Sequence, residues 1–193
     1  LTARHFGQQN GIPKSDWQRL THKAGCKVTT TITLGGNMAP VTPRLEFVFR
    51  IKMLLGIRQK FGPLPQGSTR GFVTAAGGTV EGPRLNGRVV PNSGGDWALY
   101  RDDHTVGFDA RYMLEADDGT PIYMINRGYR HAPPETAGRM EALAPVEPSE
   151  YYMRVAPSFE TPVGKHDWLT RTIIIGSAER RTDHSIFDYY AVL

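Results

Sequence analysis

Five side chains in the middle of the chain have the chemistry to move a proton. Asp109 is a carboxylate, Arg111 and Arg127 are permanent cations, Tyr123 is a phenol and Trp97 an indole. A carboxylate held between a guanidinium and an indole can act as a general acid or base, because burial raises its pKa and the guanidinium lowers it. A phenol beside it can donate to a carbonyl or enolate oxygen. On this reading Asp109 relays the proton, Tyr123 and Arg127 stabilise developing oxyanion charge, and Trp97 stacks on the ligand with Arg111 alongside. The same residues admit a plainer reading, which is the stronger on the residues alone. In it Asp109 and Arg127 form a structural cross-strand ion pair with the tryptophan packed over it.

Two hairpins must position these groups. In Glu115–Thr120, Asp117 and Asp118 fit a type I turn and Gly119 the left-handed position that follows it. Pairing Ala116 with Thr120 sets Asp109 opposite Arg127, Arg111 opposite Ile125 and Met113 opposite Tyr123. On the other surface Tyr112 faces Met124 and Leu114 faces Ile122. Arg101–Thr105 makes a similar turn with His104 in the glycine place, which puts Trp97 across from Asp109. One surface then collects Trp97, Asp109, Arg111, Met113, Tyr123, Ile125 and Arg127. Its reverse carries Phe108, Ala110, Tyr112, Leu114, Ile122 and Met124, with Asn126 at the end, and is the better hydrophobic surface. The mixed surface suits a pocket wall, so Trp97, Asp109 and Arg127 are expected to project into an enclosed space. A one-residue slip would send them to the opposite face.

Beyond the hairpins, period-two alternation starts at Leu45, with Phe47, Phe49 and Ile51 on one face. Further runs follow at Gly71–Ala76, Gly87–Val90, Asp96–Tyr100, Thr105–Glu115, Thr120–Arg127, Glu150–Val155, Thr170–Ser177 and Ser185–Val192. With 21 glycines and 14 prolines as punctuation, these read as an all-β sandwich or barrel. Only Pro134–Leu143 reads as helix. Residues 1–37 lack a sustained period, and Thr29–Leu34 is their one plausible strand. They form either a flexible or partner-contacting arm or read-through upstream of a natural start at Met38, the reading favoured here, and residues 38–193 form the domain. Of the 23 basic and 19 acidic side chains, five and one lie in residues 1–37, so the domain is balanced and lacks the basic footprint of a nucleic-acid binder. A single cysteine, Cys26, excludes an intramolecular disulfide and multi-cysteine metal sites. No run approaches the ~20 apolar residues of a membrane span and no signal peptide is evident, so the expectation is a soluble cytoplasmic protein without a membrane partner. Exposed strand edges leave room for a homodimer.

Other candidates carry less. Asn126–His131 ends a strand, and its basic residues can bind a carboxylate or cap carbonyls at the following loop. His131 and Glu135 are separated by two prolines and have no third ligand, so no metal is expected. Trp168, after His166 and Asp167, is a packing residue or a substrate platform. Tyr151, Tyr152 and Arg154 share a strand without an assignable partner, so at least one tyrosine should be core. Dinucleotide fingerprints, phosphate loops, nucleophile elbows and zincin motifs are absent. Gly77-Gly78 and Gly94-Gly95 read as bends or bulges.

The order of motifs is specific in a further way. Pro43-Arg44-Leu45-Glu46-Phe47-Val48-Phe49 is followed by Gly77-Gly78-Thr79-Val80-Glu81-Gly82-Pro83-Arg84-Leu85-Asn86-Gly87, Gly94-Gly95-Asp96-Trp97, Asp109-Ala110-Arg111-Tyr112 and Ile122-Tyr123 with Asn126-Arg127-Gly128. Then come Glu150-Tyr151-Tyr152-Met153-Arg154, Pro157-Ser158-Phe159-Glu160-Thr161 and Trp168-Leu169. Over residues 43–192 the chain resembles the bacterial and fungal family called domain of unknown function 3237. The resemblance implies a compact antiparallel β-barrel with a cavity; joined to the reading of the residues above, the expected fold is a single antiparallel β-barrel, lipocalin-like in shape, with one short helix and an irregular N-terminal arm. The resemblance also implies, for some members, cofactor-free ring closure by addition of a hydroxyl across a double bond. It supplies no catalytic residues and no account of residues 1–37. The expectation is therefore a barrel that binds an oxygenated, aromatic or polyketide-like small molecule. Asp109, Tyr123 and Arg127 would serve a lyase, isomerase or cyclase reaction without a cofactor. Trp97, Arg111, Arg154 and Trp168 would contact substrate. The rival is a barrel that only binds.

Overall fold

The structure is a computed structural model that describes residues 40–193; the expectations for the 1–37 arm and for Met38 lie outside the described residues. Ten strands follow in chain order: β1 (Leu45–Phe61), β2 (Thr69–Glu81), β3 (Gly87–Val89), β4 (Gly95–Asp96), β5 (Leu99–Tyr100), β6 (Val106–Ala116), β7 (Pro121–His131), β8 (Tyr152–Glu160), β9 (Ile174–Arg180) and β10 (His184–Val192). One α-helix, α1 (Pro134–Glu141), separates β7 from β8. β3, β4 and β5 share one position, each pairing with β2 on one side and β6 on the other. β1 pairs with both β2 and β10, which closes the sheet. The outcome is an eight-position antiparallel up-and-down barrel, whose closure leaves no long free edge.

Both hairpins adopt the expected register. Asp109 faces Arg127 and Met113 faces Tyr123, and the Ala116 N–H donates to the Thr120 carbonyl at 3.0 Å. The Arg101 N–H reaches the Thr105 carbonyl at 2.9 Å, with His104 at φ 61° taking the glycine place. Other boundaries differ. β1 continues well past Ile51 and β8 past Val155, while Asp167–Thr170 forms a 3₁₀ turn, so β9 begins only at Ile174. The Tyr152 strand finds its partner in β7, with Tyr152 opposite His131. Tyr151 is the buried tyrosine, and its hydroxyl accepts the Arg180 N–H at 2.9 Å.

Inward side chains divide the barrel into two halves. At one end Phe49, Ile51, Val80, Leu114, Ile122, Met124, Phe159, Ile174 and Tyr189 fill the interior as one cluster. Toward the other end the inward residues become Met53, Leu55, Val73, Ala75, Phe108, Val155 and Phe187, and these surround a cavity. Helix α1 lies over that end. Met140 packs with Tyr151, Met153 and Ala178, and Arg139 is ion-paired to Glu150.

Two glycines separate steric from conformational constraint. Gly78 sits at φ +148° beside the register shift in β1, and a Cβ there would fall 2.0 Å from the Lys52 carbonyl oxygen. Gly119 sits at φ +82° with open space around it. Gly119→Ala is therefore expected to cost only backbone strain, about 1–2 kcal/mol. Gly78→Ala also forces strands apart and should cost more than that. Thermal unfolding of both variants checks the order; equal losses would contradict it.

Candidate functional site

The strands' alternation decides which groups face the cavity. Trp97 is 49% exposed and stacks on Phe72 with ring centroids 4.5 Å apart. Asp109 meets Arg111 at 3.2 Å and Arg127 at 3.4 Å, with both arginines at the surface. The hydrogen bond from Arg111 holds the Asp109 carboxyl below its ordinary pKa, and Arg127 adds to this. Tyr123 shares this outer surface, being opposite Met113 in register with the Asp109–Arg127 pair. The expected inward projection of Trp97, Asp109 and Arg127 is therefore corrected: the pairing holds, and the whole set lies on the outside. The reason is hydrophobic burial. The reverse surface, with Phe108, Ala110, Tyr112, Leu114, Ile122 and Met124, removes more apolar area from water and takes the interior.

The remaining expected residues lie apart. Arg154 is on the outer side of β8, donating to the Met153 carbonyl at 2.8 Å, over the Tyr152 ring. Trp168 is at the filled end, packed against the main core with the Arg84 guanidinium 3.8 Å from its ring centroid. His166, also at that end, is buried and pairs through Nε2 with Asp118 at 3.0 Å. That contact ties the segment after β8 to the β6–β7 turn. An open groove of about 830 Å³ crosses the outer wall near Trp97, Asp109, Arg127, Tyr129 and Tyr152.

The hollow half of the barrel holds a partly open cavity of about 220 Å³. Its wall is mainly apolar, and its polar groups are few. Asp96, from β4, is opposite Ala110 on the inner surface. Its Oδ1 accepts the Asp109 N–H at 2.9 Å. Burial pushes the Asp96 carboxyl up to about 6 against an ordinary 3.8; the Asp109 N–H and the charges of Arg130 and Arg70 pull the other way without offsetting it. Tyr112 and Asn126 also line the cavity. Asn126 donates to the Tyr189 hydroxyl at 3.0 Å, while its Oδ1 and the Tyr112 hydroxyl are buried and make no hydrogen bond of ordinary geometry, although the Tyr112, Tyr189 and Asn126 side chains are close enough to act on one another. Burial raises the pKa of both Tyr112 and Tyr189, so both hydroxyls stay protonated and can donate. Tyr100, Arg58, Arg130, Arg180 and Glu141 surround the α1 end of the cavity.

Sequence reasoning passed over Asp96, although the hairpin register contained it. The pairing that sets Trp97 against Asp109 sets Asp96 on the apolar surface, and an acid among apolar side chains is the informative anomaly. Chemically, the cavity offers a carboxyl that exchanges its proton near neutrality, a phenol donor and an amide acceptor. Among the described residues no group of three or more His, Cys, Asp or Glu side chains is placed to hold a metal ion, and no helix is long and apolar enough to cross a membrane.

The model of the family described as Protein of unknown function (DUF3237) matches residues 43–192. The chain belongs to this family. A UPF0311 protein of Rhodopseudomonas palustris is 34% identical over 155 residues, covering 79% of this chain and all of the relative. A UPF0311 protein of Bradyrhizobium diazoefficiens is 32% identical over the same length. Among solved structures, a conserved protein of unknown function from R. palustris shares 32% identity with a TM-score of 0.74, over 81% of this chain and 100% of that one. A β-barrel-like protein from Acinetobacter baumannii shares 33% with a TM-score of 0.70, over 81% and 99%. An enzyme from Penicillium herquei, 21% identical with a TM-score of 0.60 over 80% and 98%, shares the fold. Within the DUF3237 family the match spans all ten strands and α1 of this chain.

The raised Asp96 carboxyl gives a stability prediction with a definite sign. Folding favours the protonated form, so the contribution is full below pH about 4 and is lost as pH rises through 6. Asp96→Asn keeps the shape without the charge. It should match the wild type at pH 4 and be more stable at pH 8, on the order of 2 kcal/mol. Urea unfolding at the two pH values measures this. Parallel pH profiles would show that Asp96 is not held in its acid form.

Proposed function

We propose that the barrel binds an oxygenated small molecule of about one-ring size in its interior cavity. It acts on that molecule by acid–base chemistry as a lyase, isomerase or cyclase, without a cofactor. One observation carries the reading: Asp96, raised to about 6, lines the same apolar cavity as Tyr112 and Asn126, whose hydroxyl and amide oxygen are buried and make no hydrogen bond of ordinary geometry. A buried polar group left poorly paired costs about 1–3 kcal/mol, which an oxygenated ligand beside Tyr112 and Asn126 would offset. Asp96 moves the proton, since a general acid–base group works best with a pKa near the working pH. Tyr112 donates to the oxygen on which charge develops, and Asn126 accepts from a ligand hydroxyl. The Penicillium herquei protein is described as an enzyme, so this barrel shape is compatible with catalysis.

The rival, a barrel that binds without reacting, uses the same contacts but needs no proton transfer. Solvent exchange separates the two even while the natural substrate is unidentified. Wild-type protein is incubated in heavy water with a panel of single-ring and short-chain carbonyl compounds, and deuterium incorporation is followed by NMR. A compound that exchanges with the wild type should exchange ~100-fold or more slowly with Asp96→Asn and within a few fold with Asp109→Asn. Equal rates for wild type and Asp96→Asn would remove Asp96 from the mechanism, and a larger loss in Asp109→Asn would return the chemistry to the outer wall.

A further inference from the structure

We propose that the ligand of this cavity carries a carboxylate. Arg130 and Arg180 receive it at the α1 end, while the ligand's apolar body occupies the hollow half of the barrel. The inference rests on the reading of the cavity as a small-molecule site and names the class of molecule. Arg130 from β7 and Arg180 from β9 both line the cavity, with Arg58 from β1 also on its lining. Among the described residues none of the three forms an ion pair, although nine of the twelve ion pairs found elsewhere engage an arginine. Arg58 spends its guanidinium on the Thr182 carbonyl at 2.8 Å, which leaves Arg130 and Arg180 with the greater unmet capacity. Burial disfavours the charge on both, and like charge adds to it: Arg180 acts on Arg130, and Arg58 acts on Arg180.

Three cations converging on one opening repel each other unless an anion enters. The two acids of the lining are not paired with them: among the described residues neither Asp96 nor Glu141 makes an ion pair, although the charge of Glu141 acts favourably on Arg130. A planar guanidinium fork matches a carboxylate through two parallel hydrogen bonds. The rest of the wall selects the body of the ligand. Met53, Leu55, Val73, Phe108, Val155 and Phe187 are apolar, and about 220 Å³ falls below the ~300–1,000 Å³ of pockets for drug-sized ligands. A free inorganic anion would leave that surface uncovered, whereas a ring or short chain bearing a carboxylate fits both ends.

The test uses 4-hydroxybenzoate, its neutral isostere 4-hydroxybenzamide and inorganic phosphate, each titrated calorimetrically into the full chain. The benzoate should bind at least tenfold more tightly than the amide. That gap should close in Arg130→Gln and in Arg180→Gln and be partly restored in Arg130→Lys, which keeps charge without the fork. Thermal melting of each variant guards against a folding defect; Arg180→Gln should melt no lower than wild type, since it removes repulsion. Equal affinity for acid and amide, a benzoate affinity untouched by both glutamine changes, no benzoate binding at millimolar concentration, or phosphate binding more tightly than benzoate would each overturn the proposal. Asp96→Asn keeps the two readings apart. It should leave benzoate affinity unchanged or higher, because a negative charge has gone. Arginine-dependent benzoate binding combined with exchange rates indifferent to Asp96→Asn would end the acid–base reading alone. Asp96-dependent exchange with acid and amide bound equally would end the carboxylate assignment alone.

Discussion

Closure of the sheet by β10 on β1 is the constraint from which the other features follow. Once the eight positions form a ring, each strand has one inward and one outward set of side chains, and the ring is wide enough for a single filling of side chains or one small ligand. This chain uses both options in sequence along the barrel axis. Large residues such as Phe49, Leu114, Met124 and Tyr189 fill one half, and smaller or more widely spaced ones such as Ala75, Ala98, Ala110 and Ser185 leave room in the other. The filled half gives the barrel its stability. The hollow half is then free to carry polar groups that a packed core would exclude.

Much of the architecture was legible in the sequence because turn chemistry and alternation are local signals. The Asp117-Asp118-Gly119 turn and the His104 turn fixed every pairing between β6 and its hairpin neighbours, and those pairings are the ones found. The boundary of β9 was not legible, because the run read as strand from Thr170 begins on the last residue of a 3₁₀ turn, Asp167–Thr170, held over the filled end by the buried His166 and Leu169. The Tyr152 strand could be recognised but not placed, since its partnership with β7 crosses α1 and a long connection.

The location of the site turned on parity. Charged and aromatic residues at 97, 109, 111 and 127 stand out as a group, and such groups are what a solvated outer wall normally carries. The side chains that face the cavity are distributed one at a time through apolar company: Asp96 against Ala110, Tyr112 against Met124, Asn126 against Ala110, Arg130 against Val106. Each is ordinary in a window of sequence. Their convergence is a property of the closed ring and becomes visible only when all the strands are placed.

Asp109 links the two sides of the wall. Its side chain belongs to the outer ion pairs, while its main-chain N–H holds the Asp96 carboxyl on the inside, and its negative charge contributes to the raised pKa within. The barrier between solvent and cavity is here one peptide thick. The ionic medium bathing the exterior therefore belongs to the proton chemistry of the interior: whatever neutralises position 109 from without, a bound cation or a docked basic surface, makes the enclosed acid a stronger one.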